Sequence, residues 1–384
     1  MVFEDQFAAL NETYFFREFT FSKSTFYPAP TRKVELADSL IWLGNFLVIF
    51  QLKERKAGGG TTPEAEKRWF ERKVLKKATQ QVQDTLIYLD ESNGIEVRNH
   101  KGHAFSLSVD AINEQHKLIV YLPHESLPET HRRIKHHWSR SAGFIHIMQA
   151  TDYLGVIKTL ITPTEVVDYL NFREILITDW GNETSLLPEQ ALVGQFLKGD
   201  SGACPSVEFA GYLQRLDQRS GEWDVSGLIN TFNDQVWTDN LPTDYYHIVR
   251  EIALLKRDEL REIKKRVLLS FENARANKAV RPYRVACPRT GCGFVFVPLA
   301  ENEIADRHDS LASLTLAHKY DQRLYKCIGA SFSHEENDQF KAEWFYAEFP
   351  WKEDREMEEL LKEHNPFRKV TGVVLDRYTF DQHQ

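Results

Sequence analysis

Residues 34–55, VELADSLIWLGNFLVIFQLKER, constrain the fold more tightly than any other stretch, because two apolar runs meet at Gly44-Asn45. That dipeptide supplies the φ-tolerant backbone a two-residue hairpin loop requires. A loop there sets the register: Leu43 faces Phe46, Asp38 faces Gln51 and Leu36 faces Lys53. Directly opposed residues share a sheet face, and alternation along the second strand places Gln51 and Lys53 on the face of Asp38. A carboxylate, an amide and an ammonium thus gather at one end of an apolar hairpin, where polar groups without partners are costly.

The 384 residues are enough for two or three domains, and a 42% hydrophobic content can fill ordinary cores. No apolar run approaches the roughly 20 residues of a membrane-spanning helix, and MVFEDQFAAL is acidic where a signal peptide is basic. A cytoplasmic protein with no membrane association is the expectation. Four cysteines, Cys204, Cys287, Cys292 and Cys327, are too scattered for a disulfide framework, in keeping with a reducing compartment. The net charge of −8 excludes a protein that coats nucleic acid with its whole surface, but leaves room for a local basic groove.

Upstream of the hairpin, Phe3, Phe7, Leu10 and Tyr14 recur at helical spacing and predict a helix ending near Phe16, with Glu4 and Glu12 beside its apolar face. FREFTFSKSTFYPAP alternates as a strand that Pro28 and Pro30 end. Downstream, KAGGGTTP predicts a flexible loop leading into a helix start. Thr61 or Thr62 caps, Pro63 suits the first turn, and Glu64 and Glu66 favour the positive helix end. The helix should run to about Leu89 with Phe70, Val74, Ala78, Val82, Leu86 and Leu89 inward, and Lys73, Lys76, Lys77 and Gln80 on another face. Strands from GIEVRN, AFSLSVD and KLIVYLP complete an α-β-β-β-α-β order that closes near Pro123, giving a first domain over 1–124.

The middle region, 125–279, opens on a basic connector containing His131, His136 and His137, continues through a strand in GFIHIMQA, and ends in one long helix from Leu241 to Ala276. The last domain, 280–384, is α+β. It has a hairpin around Pro288 to Gly291, a helix and strand in LASLTLAHKYDQRLYKCIGASFS, an aromatic cluster from Trp344 to Trp351 and an acidic helix KEDREMEELLKEH. The chain as a whole is of α/β class.

Hydrolysis of a phosphodiester needs a metal to activate water and a cation to hold the nucleophile or phosphate. Mg²⁺ takes hard oxygen ligands and keeps several waters. Asp38, the Gln51 amide and the Leu52 carbonyl can hold it, and Lys53 is the cation. Asp38, a 12-residue interval and Gln51-x-Lys53, between a preceding helix and a long following one, resemble the PD-(D/E)XK nuclease superfamily, with the glutamine of Mrr-like restriction endonucleases. The resemblance covers about residues 1–124, and it extends to bacterial proteins sharing this N-terminus. Ala37 stands where the motif has proline. The resemblance implies a restriction endonuclease-like mixed sheet flanked by helices, with Mg²⁺ or Mn²⁺ as cofactor and DNA as partner. It further implies endonuclease activity, and restriction or defence against foreign DNA as the role. It implies an acid on the first helix, for which Glu12 is preferred over Glu4 and Glu18, and DNA contacts from Lys73, Lys77 and Gln80 or Gln81. The C-terminal regions would recognise substrate or mediate a homodimer or partner contact.

Two other readings stay open. The domain could have lost cleavage and serve as a DNA-binding or protein-interaction module, or the hairpin could be a salt-bridged structural element with function residing in the C-terminal domain. Elsewhere, Cys287, Cys292, Cys327 and His318 lack the second close ligand pair of structural zinc and are better read as buried thiols beside a histidine. The histidine run reads as a surface connector. The Trp344–Trp351 aromatics read as packing in preference to base stacking.

Overall fold

A computed structural model describes residues 3–29, 32–55, 62–199, 202–213, 241–335, 339–369 and 372. The chain divides into two compact units, residues 1–218 with 377–384, and residues 219–376. Both are mixed α/β. The Gly-rich loop expected over 56–61 lies outside the described residues.

The first unit begins with α1 (Phe3–Phe15), followed by β1 (Thr20–Ser22), β2 (Thr25–Ala29), β3 (Arg32–Glu35), β4 (Ser39–Leu43) and β5 (Phe46–Glu54). The expected single strand over FREFTFSKSTFYPAP is split, because Lys23 adopts φ 52° and turns the chain between β1 and β2. A long helix then runs as α2 (Pro63–Trp69), a π-helical stretch (Phe70–Ala78) and α3 (Thr79–Glu91). Thr62 caps it, its hydroxyl accepting from the Ala65 N–H at 3.2 Å. The stripe Phe70, Val74, Ala78 and Val82, all fully buried, recurs at every fourth residue. On an α-helix of about 3.6 residues per turn such a stripe drifts around the axis. The wider π turn takes up that drift and keeps the four side chains over Ile119, Tyr121, Ile145 and Ile147.

β6 (Ile95–Arg98) and β7 (Ala104–Leu107) form a separate hairpin, and β8 (Glu114–Leu122) returns to the main sheet. The first body does not close at residue 124. After α4 (Glu129–Arg132) come β9 (His136–Ser139) and β10 (Gly143–Gln149), and β10 pairs in parallel with β8, so the sheet continues into the region taken from sequence as a middle domain. Its order is β1-β4-β5-β8-β10-β9, antiparallel at β1/β4, β4/β5 and β9/β10 and parallel at β5/β8 and β8/β10. One face carries the long helix. On the other, Phe7 of α1 meets Phe50 at 5.2 Å and stacks on Tyr153 at 5.0 Å. Tyr153 belongs to α5 (Ala150–Leu160), which is followed by α6 (Pro163–Leu186) and α7 (Glu189–Lys198).

α6 is fixed by Arg173, whose guanidinium is fully buried. It donates to Glu189 Oε1 at 2.6 Å, to the Lys135 and Ile147 carbonyls at 3.0 and 3.1 Å, and to His146 Nδ1 at 3.1 Å. Tyr169 and Lys135 also bond Glu189. One ion pair therefore locks α6, α7, β10 and the segment before β9.

In the second unit, the single long helix expected from Leu241 is two, α8 (Tyr246–Ala253) and α9 (Arg257–Arg275). The break is stabilised by Glu259, whose carboxylate accepts the Lys256 N–H at 2.8 Å and starts a new helix. Both helices fall in the same unit as the C-terminal sheet, so the division expected at residue 280 is not where the chain separates. β11 (Tyr283–Cys287), β12 (Cys292–Pro298), β13 (Lys326–Glu335) and β14 (Gln339–Glu348) form a sheet in that order. α10 (Arg307–Asp321) crosses between the parallel β12 and β13, and α11 (Arg355–Glu363) follows β14. Burial raises the Cys287 thiol to about 12 and lifts Cys292 and Cys327 as well. His318 Nε2 lies 3.1 Å from the Val285 carbonyl, and burial lowers its pKa to about 4. Trp351 donates its indole N–H to the Tyr320 carbonyl at 3.1 Å.

Removing the guanidinium would leave Glu189 buried without its main counter-charge. Arg173→Leu is expected to cost about 3–5 kcal/mol of stability in urea denaturation. Burial alone would raise the Glu189 carboxyl, but Arg173 and then Lys135 overcome it and hold the group well below the usual range. A depressed carboxyl contributes stability that is complete above the unfolded value of about 4.3 and is lost as pH falls toward the folded one. The stability difference between the wild type and Glu189→Gln should therefore shrink between pH 6 and pH 3. A constant difference would contradict this.

Candidate active site

The β4/β5 ladder runs as the Gly44-Asn45 turn dictates, Leu43 opposite Phe46 through Ser39 opposite Phe50. It then stops. Leu36 does not face Lys53, because its N–H donates to the Ser24 carbonyl at 2.8 Å and its carbonyl accepts the hydroxyl of the fully buried Thr85 at 2.5 Å. The chain bends, and Asp38 at the bend supplies its carboxylate where the ladder ends. Asp38 Oδ2 accepts the Leu52 N–H at 2.5 Å.

Lys53 completes the cluster. Its Nζ lies 3.3 Å from Asp38 Oδ2 and 2.7 Å from the Leu52 carbonyl oxygen. The ammonium bridges the two oxygen groups assigned from sequence to the metal. Asp38 and Lys53 are both mostly buried, at 11% and 12% side-chain exposure. Gln51 is 2% exposed, and its Oε1 has no hydrogen-bond partner. Three residues chosen from sequence are thus brought together on the face covered by the long helix.

Of the first-helix acids, Glu4 is the one whose charge acts on Lys53, while Glu12 pairs with a histidine. Glu12 is two turns further on and lies 3.1 Å from His100 Nδ1, while Glu18 is fully buried against Lys101 at 3.3 Å. Glu4 lies one turn before Phe7, which anchors α1 to Phe50, and its charge acts on both Lys53 and Glu35. Glu35 was not expected. Burial raises its pKa, and the neighbouring Asp38 and Glu4 raise it further, against Lys23 and Lys53. Its signal in the sequence was only its position three residues before Asp38. Lys53 is lowered by burial and by Lys77, with Asp38 and Glu4 opposing.

On the long helix, Lys73 and Lys77 are exposed, and Lys77 is within electrostatic reach of Lys53. Gln80 is also exposed but turns to Asp84, donating to Oδ1 at 2.9 Å. Gln81 is the better placed amide. It sits between Lys77 and Thr85 at four-residue spacing, and its Oε1 is buried without a partner. The spacing Lys77, Gln81, Thr85 could have selected it over Gln80.

The Asp38 carboxylate and the Leu52 carbonyl, which the Lys53 ammonium bridges, are hard oxygen donors, the orphaned Gln51 oxygen belongs to the same sheet face as Lys53, and Glu4 and Glu35 act on the cluster through charge. That set fits Mg²⁺ or Mn²⁺. Holding Gln51 Oε1 buried and unbonded opposes folding. Gln51→Met is expected to raise stability by about 1–2 kcal/mol in urea denaturation. A loss of stability would mean that the amide is satisfied. No family model, curated protein or solved structure matches this chain, so what the site does must be argued from its geometry.

Proposed function

We propose that the first unit is a Mg²⁺- or Mn²⁺-dependent deoxyribonuclease, an endonuclease acting in the cytoplasm in restriction or defence against foreign DNA. The observation that carries this is Lys53 Nζ placed between Asp38 Oδ2 and the Leu52 carbonyl, beside the unpartnered Gln51 amide. Support also comes from topology. α1, the run β1-β4-β5 of antiparallel neighbours, the long helix and the parallel return in β8 follow the α-β-β-β-α-β order that the PD-(D/E)XK resemblance implies. Among the described residues no helix is long and apolar enough to cross a membrane.

Asp38, Gln51 and the Leu52 carbonyl would hold the ion, with Glu4, whose charge acts on Lys53, taking the part expected of Glu12. When bound, the ion activates water and offsets charge on the phosphate. Lys53 orients the attacking water and takes part in moving its proton, helped by a burial that weakens its hold on its own proton. Lys73 and Lys77 contact backbone phosphates, and Gln81 replaces Gln80 at the groove.

A second reading, a nuclease-like module without cleavage, is favoured by one observation: residue 51 is neutral and Lys53 already satisfies Asp38. Supercoiled plasmid with Mg²⁺ or Mn²⁺ separates the two. Cleavage by the wild type should fall at least about a hundredfold in Asp38→Ala and in Lys53→Ala. Undiminished cutting by both variants would overturn the site. If the wild type binds plasmid without cutting and Gln51→Glu restores no cleavage, the module reading stands. Lys77→Ala should weaken DNA binding and reduce the slope of log affinity against log salt by about 1.

A further inference from the structure

We infer that His116, His146 and Glu174 form a second metal site, for one divalent ion of the zinc class, on the sheet face opposite Asp38. His116 on β8 and His146 on β10 stand on adjacent parallel strands, and the register His146 to Leu118 puts them on one face. Gln51 pairs with Ile119, an odd number of residues from His116, so the two sites lie on opposite faces. Both imidazoles are buried, their ring centroids are 5.9 Å apart, and Glu174 of α6 joins them from above. One ligand atom from each of the three residues lies within 4.8 Å of the others. Around a tetrahedral ion with bonds of about 2.0–2.1 Å, ligand atoms sit roughly 3.4 Å apart.

The hydrogen bonds around the two rings select the coordinating nitrogens. His116 Nε2 lies 3.1 Å from Glu114 Oε1, and Glu114 also accepts from the Asn171 amide. An ionised carboxylate makes Nε2 the donor, so His116 Nδ1 carries the lone pair. A histidine oriented by a carboxylate on its far nitrogen is the arrangement of a metal ligand. In His146, Arg173 Nη1 donates to Nδ1, leaving Nε2 buried and without a partner. Because Arg173 donates to Nδ1, the neutral ring carries its proton on Nε2, and coordination there would require that proton to leave to solvent. Two imidazoles and one carboxylate suit Zn²⁺ and leave a fourth position for water, whereas the all-oxygen set at Asp38 suits Mg²⁺. The bound ion ties β8, β10 and α6 together.

The test uses the full-length chain, stripped with a chelator and dialysed against Zn²⁺ with millimolar Mg²⁺ present to fill the oxygen site. One Zn²⁺ per chain is expected in the wild type and in Asp38→Ala. Its affinity should fall at least about tenfold in His116→Asn and in Glu174→Gln, and by about 10–100-fold in Glu114→Gln. Glu174 is half-buried, so its glutamine variant keeps the fold, and unchanged circular dichroism of the metal-free protein checks this. At free Zn²⁺ a hundredfold above Kd the thermal midpoint should rise by about 5–10 °C. Failure of the wild type to retain Zn²⁺ overturns the site, as does equal affinity in His116→Asn and Glu174→Gln. A thiolate charge-transfer band on Co²⁺ substitution would assign the ion to cysteines and overturn it too.

Discussion

The first unit depends on one substitution of side chain for backbone: the Asp38 carboxylate takes the Leu52 N–H that a longer β4 would have bonded. A continuous ladder would have placed Leu36 beside Lys53 and paired the Leu52 N–H with backbone instead of a carboxylate. Because Ser24 and Thr85 capture the two backbone groups of Leu36, the chain bends away and the ladder ends on a charge. The carboxylate is then oriented by a backbone donor, and the ammonium of Lys53 is drawn to it. Thr85, far from Asp38 in sequence, is thereby a positioning residue for the whole cluster.

The long helix serves the same end from the opposite direction. Its apolar stripe repeats every fourth residue, and the π-helical winding over Phe70–Ala78 lets that stripe stay against β8 and β10 without rotating off the sheet. Winding that holds the stripe straight also holds Lys73, Lys77, Gln81 and Thr85 in line along another face. Of these, Lys77 acts on Lys53 by its charge and Thr85 bonds the Leu36 carbonyl.

Much of this was legible in the chain. Gly44-Asn45 fixed the register as far as Ser39 opposite Phe50, and the period of two put Gln51 and Lys53 on one face, but the expected pairing of Asp38 with Gln51 gave way to a bend in which the Asp38 carboxylate takes the Leu52 N–H. The α/β class and most element boundaries of the first 124 residues followed from periodicity. What could not be read was long-range. Nothing in the local pattern says that β10 returns to pair with β8, so the body looked finished at residue 124. Glu12 and Glu4 both flank the apolar face of α1, and only the tertiary fold separates them, pairing Glu12 with His100 while the charge of Glu4 acts on Lys53. Gln80 and Gln81 are neighbours in sequence, and their separation into a solvent amide and a buried one depends on how the helix is wound beneath them.

Gln51 shows why stability and function need not point the same way. A buried amide oxygen without a partner is an interaction withheld, and an apolar side chain of similar size would fill the same space between Phe50 and Leu52 without it. Its neighbours show a related tension: the charges of Glu4 and Asp38 act both on Glu35 and on the mostly buried Lys53. Folding by itself would select against both features. Under the metal-dependent reading proposed above, a divalent ion would give the amide oxygen its missing partner and offset the charge of the acids. With a neutral residue at position 51, the negative charge at the cluster comes from Asp38, which Lys53 already offsets.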